Sequence, residues 1–183
     1  MIETPRLRLR PPRPADAPNL VALMTPTVSR WLGNWPVPFT PGMAEARIAA
    51  SLDAITAGRS LICVVEHQGT FVGWIGGSAK SQDDLRGRLA DTDRGRFGYW
   101  LGEPWHGRGF MREAAPAFVA ALCNRLALSR VEAACQPANR GSALVLAACG
   151  LRRVGARAEP APARGRDELV EVWERAWTRD APG

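Results

Sequence analysis

The chain is short of the residues on which several common chemistries depend. It has only two histidines, His67 and His106, and its four cysteines, Cys63, Cys123, Cys135 and Cys149, stand at irregular spacings without a C-x-x-C pair. That pattern argues against a structural zinc site or a disulfide framework, so no metal and four buried, reduced thiols are expected. The one lysine, Lys80, lies in no G-x-x-x-x-G-K-[ST] run, which excludes a P-loop. No uninterrupted apolar run approaches the roughly eighteen residues of a membrane span. The opening Met-Ile-Glu-Thr-Pro-Arg lacks the basic-then-apolar pattern of a signal peptide. A cytoplasmic protein without a membrane partner is the expectation. Internal repeats and linker-like breaks are also missing, so residues 1–183 read as one domain, long enough to bury a sizeable core.

Charge is not scarce, but it is one-sided in type. The formal net charge is +6 and the pI about 10.1, with arginine supplying every basic side chain except Lys80. These arginines are scattered rather than blocked. Together with abundant Ala, Pro and Gly, they suggest a compositional bias, and they argue against nucleic acid as the main partner. A phosphate-bearing ligand would suit the same mild positive charge.

The most informative stretch runs from Gly98 to Ala115. Phe97 to Leu101 reads as a buried strand, Glu103-Pro104 as a turn, Gly107-Arg108-Gly109 as a glycine loop, and an alanine-rich helix starts near Phe110. Strand, glycine loop and helix in that order form an anion cradle. Glycine has no Cβ, so successive backbone N–H groups can converge on a phosphate, and the first helical turn adds unpaired N–H groups and the positive end of its dipole. Met111 and Arg112 follow Gly109, so the G-x-G-x-x-G dinucleotide fingerprint is not met.

Elsewhere, Leu7 and Leu9 alternate with Arg6, Arg8 and Arg10 as in a half-buried strand. A short helix follows Asp16 and breaks near Pro26. Residues 27–40 read as a loop rich in aromatics (Trp31, Trp35, Phe39), either covering one end of the core or walling a substrate pocket. Residues 44–57 form a helix stopped by Gly58. Strands at 61–65 and 71–75 make a hairpin about Gln68-Gly69. Residues 80–95 read as a loop beside the pocket. The helix at about 110–126 carries Ala115, Phe118, Val119, Leu122 and Leu126 on one face. A strand at 131–135 and an all-apolar helix at 143–149 follow, both faces of that helix needing cover. A strand starts at 151, residues 156–167 read as a Pro- and Arg-rich excursion, and an exposed last strand could pair across a dimer, so monomer and homodimer stay open. The expected class is mixed α/β.

Three stretches act together. Thr4-Pro5-Arg6-Leu7-Arg8-Leu9-Arg10, then Gly98-Tyr99-Trp100-Leu101 with His106-Gly107-Arg108-Gly109-Phe110-Met111-x-Glu113-Ala114, then Asn139-x-x-Ser142 with Cys149-Gly150-Leu151 resemble the GNAT superfamily of acyl-CoA-dependent N-acetyltransferases, nearest its ribosomal-protein N-terminal acetyltransferase branch. The resemblance implies a mostly antiparallel central sheet of six to seven strands, splayed at the cofactor site, with about four helices. It implies acetyl-CoA as co-substrate and direct transfer to an amine, a protein N-terminus or a small molecule. Its pyrophosphate would lie on His106, Gly107, Arg108, Gly109, Phe110 and Met111. Its pantetheine arm would lie beside Trp100 and Leu101, with Asn139 either bonding that arm or only capping a helix. Ser142 would protonate the departing thiolate or merely satisfy its own helix. Trp31 and Trp35 would line the acceptor pocket.

Two departures from the family pattern matter. His106 and Met111 stand at the ends of the phosphate motif, and Arg96 and Phe97 occupy the strand positions where a catalytic carboxylate is common. Glu103, His106 through water, or a water chain alone are the candidates for the base. Tyr99, the only tyrosine, reads as a packing residue. The missing carboxylate and the altered phosphate motif keep an acyl-CoA-binding sensor with little turnover as the alternative function.

Overall fold

The computed structural model describes residues 1–79 and 93–178. Its frame is an eight-stranded sheet in the order β1-β2-β3-β4-β5-β6-β8-β7. The strands are β1 (Ile2–Glu3), β2 (Leu7–Arg10), β3 (Ser60–His67), β4 (Thr70–Ala79), β5 (Arg94–Leu101), β6 (Arg130–Cys135), β7 (Arg152–Ala161) and β8 (Arg166–Ala176). Among the described residues five α-helices accompany them: α1 (Ala17–Leu23), α2 (Pro26–Ser29), α3 (Pro41–Thr56), α4 (Phe110–Arg125) and α5 (Arg140–Ala148). Every strand pair is antiparallel except β5–β6. The mixed α/β, mostly antiparallel expectation therefore holds, with one two-residue strand and one single-turn helix beyond it.

The parallel pair creates the opening on which function depends. β5 and β6 are in register only from Arg94↔Arg130 to Arg96↔Glu132, yet β5 continues to Leu101 and β6 to Cys135. Beyond Arg96 the strands diverge, leaving Phe97–Leu101 and Ala133–Cys135 facing a gap instead of each other. Main-chain groups along such a gap can take an extended ligand as if it were a strand.

Two cores hold the sheet from opposite sides. On one face Phe118, Leu122, Phe110 and Ala115 of α4 pack against Val65, Ile75, Phe97 and Val131. On the other, Leu20, Val28 and Ile48 from α1–α3 and Trp35 from the loop between α2 and α3 pack against Val64, Trp74 and Trp100. The period-two alternation of β5 sorts its side chains between them: Phe97 and Tyr99 belong to the first core, Trp100 to the second.

Several sequence expectations need correction. The excursion at 156–167 is mostly strand: β7 runs to Ala161, a 3-10 turn covers Pro162–Arg164, and β8 begins at Arg166. Pro160 is tolerated because β7 is the sheet edge, where a missing N–H costs little. The last strand is accordingly not an edge, since β8 lies between β6 and β7. Helix α5 is covered on one side only, with Leu146 buried and Leu144 60% exposed. Arg10 does not alternate outward. It is buried, with Asp16 at 2.7 Å and Glu66 at 2.7 Å. The loop expected at 80–95 lies outside the described residues over 80–92, and Arg94 and Gly95 belong to β5. The four cysteines are buried and unpaired, and burial raises the Cys63 and Cys123 thiols to about 11. Among the described residues no helix is long and apolar enough to cross a membrane.

Candidate active site

A cavity of about 1350 Å³ occupies the splay between β5 and β6 and extends to both faces of the sheet. Its wall takes in most of the residues singled out from sequence: Trp31, Trp35, Trp100, Leu101, His106, Gly107, Gly109, Phe110, Met111, Asn139 and Ser142. Arg108 and Glu103 are not on it.

The glycine loop borders one end. Gly107 and Gly109 have φ of +73° and +75°, conformations that glycine adopts at little cost. A Cβ would meet nothing within 4 Å at Gly107, and at Gly109 only Arg6 Nη2 at 3.6 Å, so the space before the loop is open. A branched side chain at 109 would strain the backbone as well as fill that space. Gly109 is the N-cap of α4, and its carbonyl takes the Glu113 N–H at 3.1 Å. The amides of Phe110, Met111 and Arg112 precede that first helical bond and have no acceptor within the helix. A set of converging, unengaged N–H groups at the positive end of a helix suits a diphosphate.

The N-terminal motif and the glycine-loop motif prove to be one structural unit. Glu113 accepts from Thr4 Oγ1 at 2.6 Å, the Arg6 amide at 2.8 Å and Arg6 Nε at 2.6 Å. Arg6 in turn donates through Nη1 to the Arg108 carbonyl at 3.1 Å and lies over the Phe110 ring. Burial alone would raise the Glu113 carboxyl, but the donors from Thr4 and Arg6 outweigh it and hold it below its ordinary value. A carboxylate depressed in the folded state contributes stability that is complete above its unfolded pKa of about 4.3 and is lost as pH falls through the lower folded value. Glu113→Gln is expected to cost about 1–2 kcal/mol at pH 7, because Arg6 is nearly half exposed and screened. It should also weaken acetyl-CoA binding several-fold by loosening the loop. Melting curves of both proteins at pH 7 and in the acid range check this, since their difference should shrink as Glu113 protonates.

The middle of the cavity holds a hydroxyl pair and a carboxylate. Tyr99 OH and Ser142 Oγ are 2.8 Å apart, and the Tyr99 hydroxyl also reaches the Ser142 carbonyl at 3.2 Å. Burial raises the Tyr99 phenol well above its ordinary range, so it remains protonated. Tyr99 is thus more than the packing residue read from sequence. Asn139 Oδ1 accepts the Ser142 amide at 3.1 Å as the N-cap of α5. The capping alternative accounts for that oxygen.

Glu159, missed from sequence, lines the cavity from β7. Arg96 Nη2 donates to its Oε2, and Arg157 Nη2 to its Oε1 at 2.7 Å. The strand position where a carboxylate was missing carries instead the arginine that holds a carboxylate from another strand. The other acidic wall residue, Glu168, is bound by both arms of Arg164, which holds its carboxyl below the ordinary range.

The two base candidates named from sequence are placed differently. The exposed carboxylate of Glu103 accepts from Thr25 Oγ1 and stands off the cavity wall. His106 is on the wall, and its Nε2 lies 2.8 Å from the Leu101 carbonyl. A carbonyl only accepts, so Nε2 carries the proton and Nδ1 is left as the acceptor, the tautomer a base acting through water needs. Trp35 is buried at 5.3 Å from the Trp100 ring, as the core-covering reading of its loop expects, and it also stands on the cavity wall. The Trp31 ring, beneath Arg30, is a half-buried part of the wall. Trp100 packs in the second core and also contributes to the cavity wall.

Comparison with known proteins agrees with this geometry. Among solved structures, RimJ of Mycobacterium smegmatis in complex with a CoA disulfide superposes with a TM-score of 0.77 at 22% identity, covering 93% of this chain and 81% of that one. The Salmonella typhimurium acetyltransferase that modifies the N-terminal serine of ribosomal protein L7/L12 gives 0.77 at 17% identity over 96% and 97%. The microcin C7 self-immunity acetyltransferase MccE, in complex with acetyl-CoA and AMP, gives 0.76 at 16% over 94% and 93%. At such identities the likeness is one of fold. No curated protein matches the chain. The acetyltransferase (GNAT) domain family matches residues 6–152, from the Arg6 clamp to the first residue of β7, and the chain therefore belongs to the GNAT family of acetyl-CoA-dependent N-acetyltransferases.

Proposed function

We propose that residues 1–183 act as one unit that transfers an acetyl group from acetyl-CoA to a primary amine by direct attack in a ternary complex. The observation that carries this reading is the open splay itself: phosphate-binding amides border one end, and Glu159 and Ser142 face the same cavity from different elements. The amides of Gly107 to Met111 hold the pyrophosphate, and the unpaired edges of β5 and β6 hold the pantetheine arm. Acetyl-CoA supplies an activated acyl carbon. Holding amine and thioester together removes much of the barrier, so modest proton transfer suffices.

The two faces of the sheet divide the work. Glu159 stands on the side of Arg96, where it takes the amine proton directly or through water as the N–C bond forms. Ser142 and Tyr99 stand on the other side, where the C–S bond breaks. The Ser142 hydroxyl, held by Tyr99, gives its proton to the thiolate and recovers one through solvent, into which Glu159 releases the amine proton. A carboxylate in the cavity answers one of the two motives for the alternative, an acyl-CoA-binding sensor with little turnover; the altered phosphate motif is the other. The neighbours described as acting on ribosomal protein N-termini favour a peptide amino terminus as acceptor, with a small amine as the second possibility.

Thiol release from acetyl-CoA in the presence of amines and N-terminal peptides tests the activity. Ser142→Ala is expected to lower kcat by about a hundredfold, the lower end of the range for lost acid–base help. Acetyl-CoA affinity measured by calorimetry should not change, and undiminished turnover would remove Ser142 from the acid role.

A further inference from the structure

Four arginines border the acceptor side of the cavity, and three are neutralised where they stand. Arg96 is bound to Glu159, Arg157 to Glu132 and Glu159, and Arg164 to Glu168. Arg47 differs. It projects from α3, its guanidinium lies 4.6 Å from the Trp35 ring centroid, and its Nη2 donates to the Asn34 carbonyl at 2.7 Å. No carboxylate reaches it among the described residues. The side chain is half-buried, and lost hydration lowers its pKa.

A guanidinium carries five N–H donors in a planar fork. One goes to Asn34, and the indole face of Trp35 fixes the plane without consuming another. What remains is a desolvated, pre-oriented cation on the acceptor wall whose hydrogen-bonding demand the protein does not meet. Carboxylate and phosphate match that fork in shape and charge.

We infer that the acceptor amine carries an anionic group, a carboxylate or a phosphate, and that Arg47 reads it. The inference rests on the acetyl-transfer function proposed above and adds to it the charge class of the acceptor. Arg47 is here a specificity residue: it touches the acceptor away from the reacting nitrogen and takes no part in the proton transfers.

The test compares C-terminally amidated peptides that differ in one group close to a serine amino terminus: glutamate against glutamine, and phosphoserine against serine, each at the second and third positions. Wild-type enzyme should acetylate at least one anionic form with kcat/KM about tenfold or more above its neutral partner, the scale of one charge-assisted hydrogen bond. The arm in which this occurs identifies carboxylate or phosphate as the source. Arg47→Gln should bring that ratio close to one, the loss falling chiefly on the anionic peptide, with acetyl-CoA affinity unchanged, and Arg47→Lys should restore part of it.

Equal rates for charged and neutral peptides in every arm would overturn the inference and leave acetyl transfer standing. So would an Arg47→Gln variant that slows both forms alike, since that is the mark of a residue that only ties the Asn34 loop to α3. If no amine of either kind releases thiol from acetyl-CoA, the proposed activity fails and the inference goes with it.

Discussion

Replacing Glu159 by glutamine is expected to lower kcat by about a hundredfold or more, within the range for a lost general base, while acetyl-CoA still binds with wild-type affinity. Glutamine keeps the shape of the side chain and one acceptor oxygen for Arg96 or Arg157, but it cannot take a proton from an amine. The fold should tolerate the change. In the β7–β8 register Glu159 stands opposite Glu168, and two like charges at a paired position oppose one another. Neutralising one relieves that repulsion and offsets part of what the two guanidinium contacts lose. A melting temperature close to wild type, intact cofactor binding and collapsed turnover would together mark a proton acceptor. A variant with turnover within twofold of wild type would assign the base elsewhere, with His106 through water or a water chain the remaining candidates.

The second large effect is expected at Gly98. This glycine sits on β5 between Arg96 and Trp100 on the same face of the strand, directly opposite Gly76 of β4. Both glycines are on the cavity wall. A Cβ built at Gly98 meets nothing within 4 Å, and its φ is not positive, so a side chain fits the backbone there. Gly98→Val therefore fills the approach to Glu159 from the acceptor side without disturbing the glycine loop. Valine also suits a strand better than glycine does, so stability should hold or rise slightly. The expected outcome is a fall in kcat/KM for the acceptor of about a hundredfold or more, the scale on which misplacing a reactant by an ångström acts. Acetyl-CoA affinity should remain within about threefold of wild type, a change of less than 1 kcal/mol. Steady-state kinetics with the acceptor varied, beside calorimetry of the cofactor, separates the two. Loss of acetyl-CoA binding in this variant would mean that the cofactor and acceptor sides have been exchanged.

The glycine loop and the helix it opens were legible in the sequence because their signal is local. Strand, glycines and helix follow one another within a dozen or so residues, and the phosphate contacts proposed for them are from backbone amides, so the unusual His106 and Met111 side chains did not obscure the pattern. The carboxylate was illegible for the opposite reason. Glu159 acts across the sheet on Arg96, 63 positions away in the chain, and its strand carries no hydrophobic alternation. As the sheet edge, β7 buries almost nothing besides Ala161, so Pro160 and the arginines read as loop. The same non-locality hid the partners of Glu113. Thr4 and Arg6 were visible as one motif and Glu113 as part of another, but nothing in the spacing said that 107 positions apart meant 2.8 Å. Asn139 and Ser142, three residues apart, could be read as a cap because helical geometry makes that contact local.

The claim underlying all of this is that the main-chain amides from Gly107 to Met111 receive the diphosphate of coenzyme A and direct its thiol into the gap between Leu101 and Cys135. A crystal structure of the coenzyme A complex measures it directly. The expected result is phosphate oxygens within hydrogen-bonding distance of those amides and a sulfur atom beside the Ser142 hydroxyl. A nucleotide bound anywhere else, or a gap still filled by protein side chains with the ligand present, would contradict it.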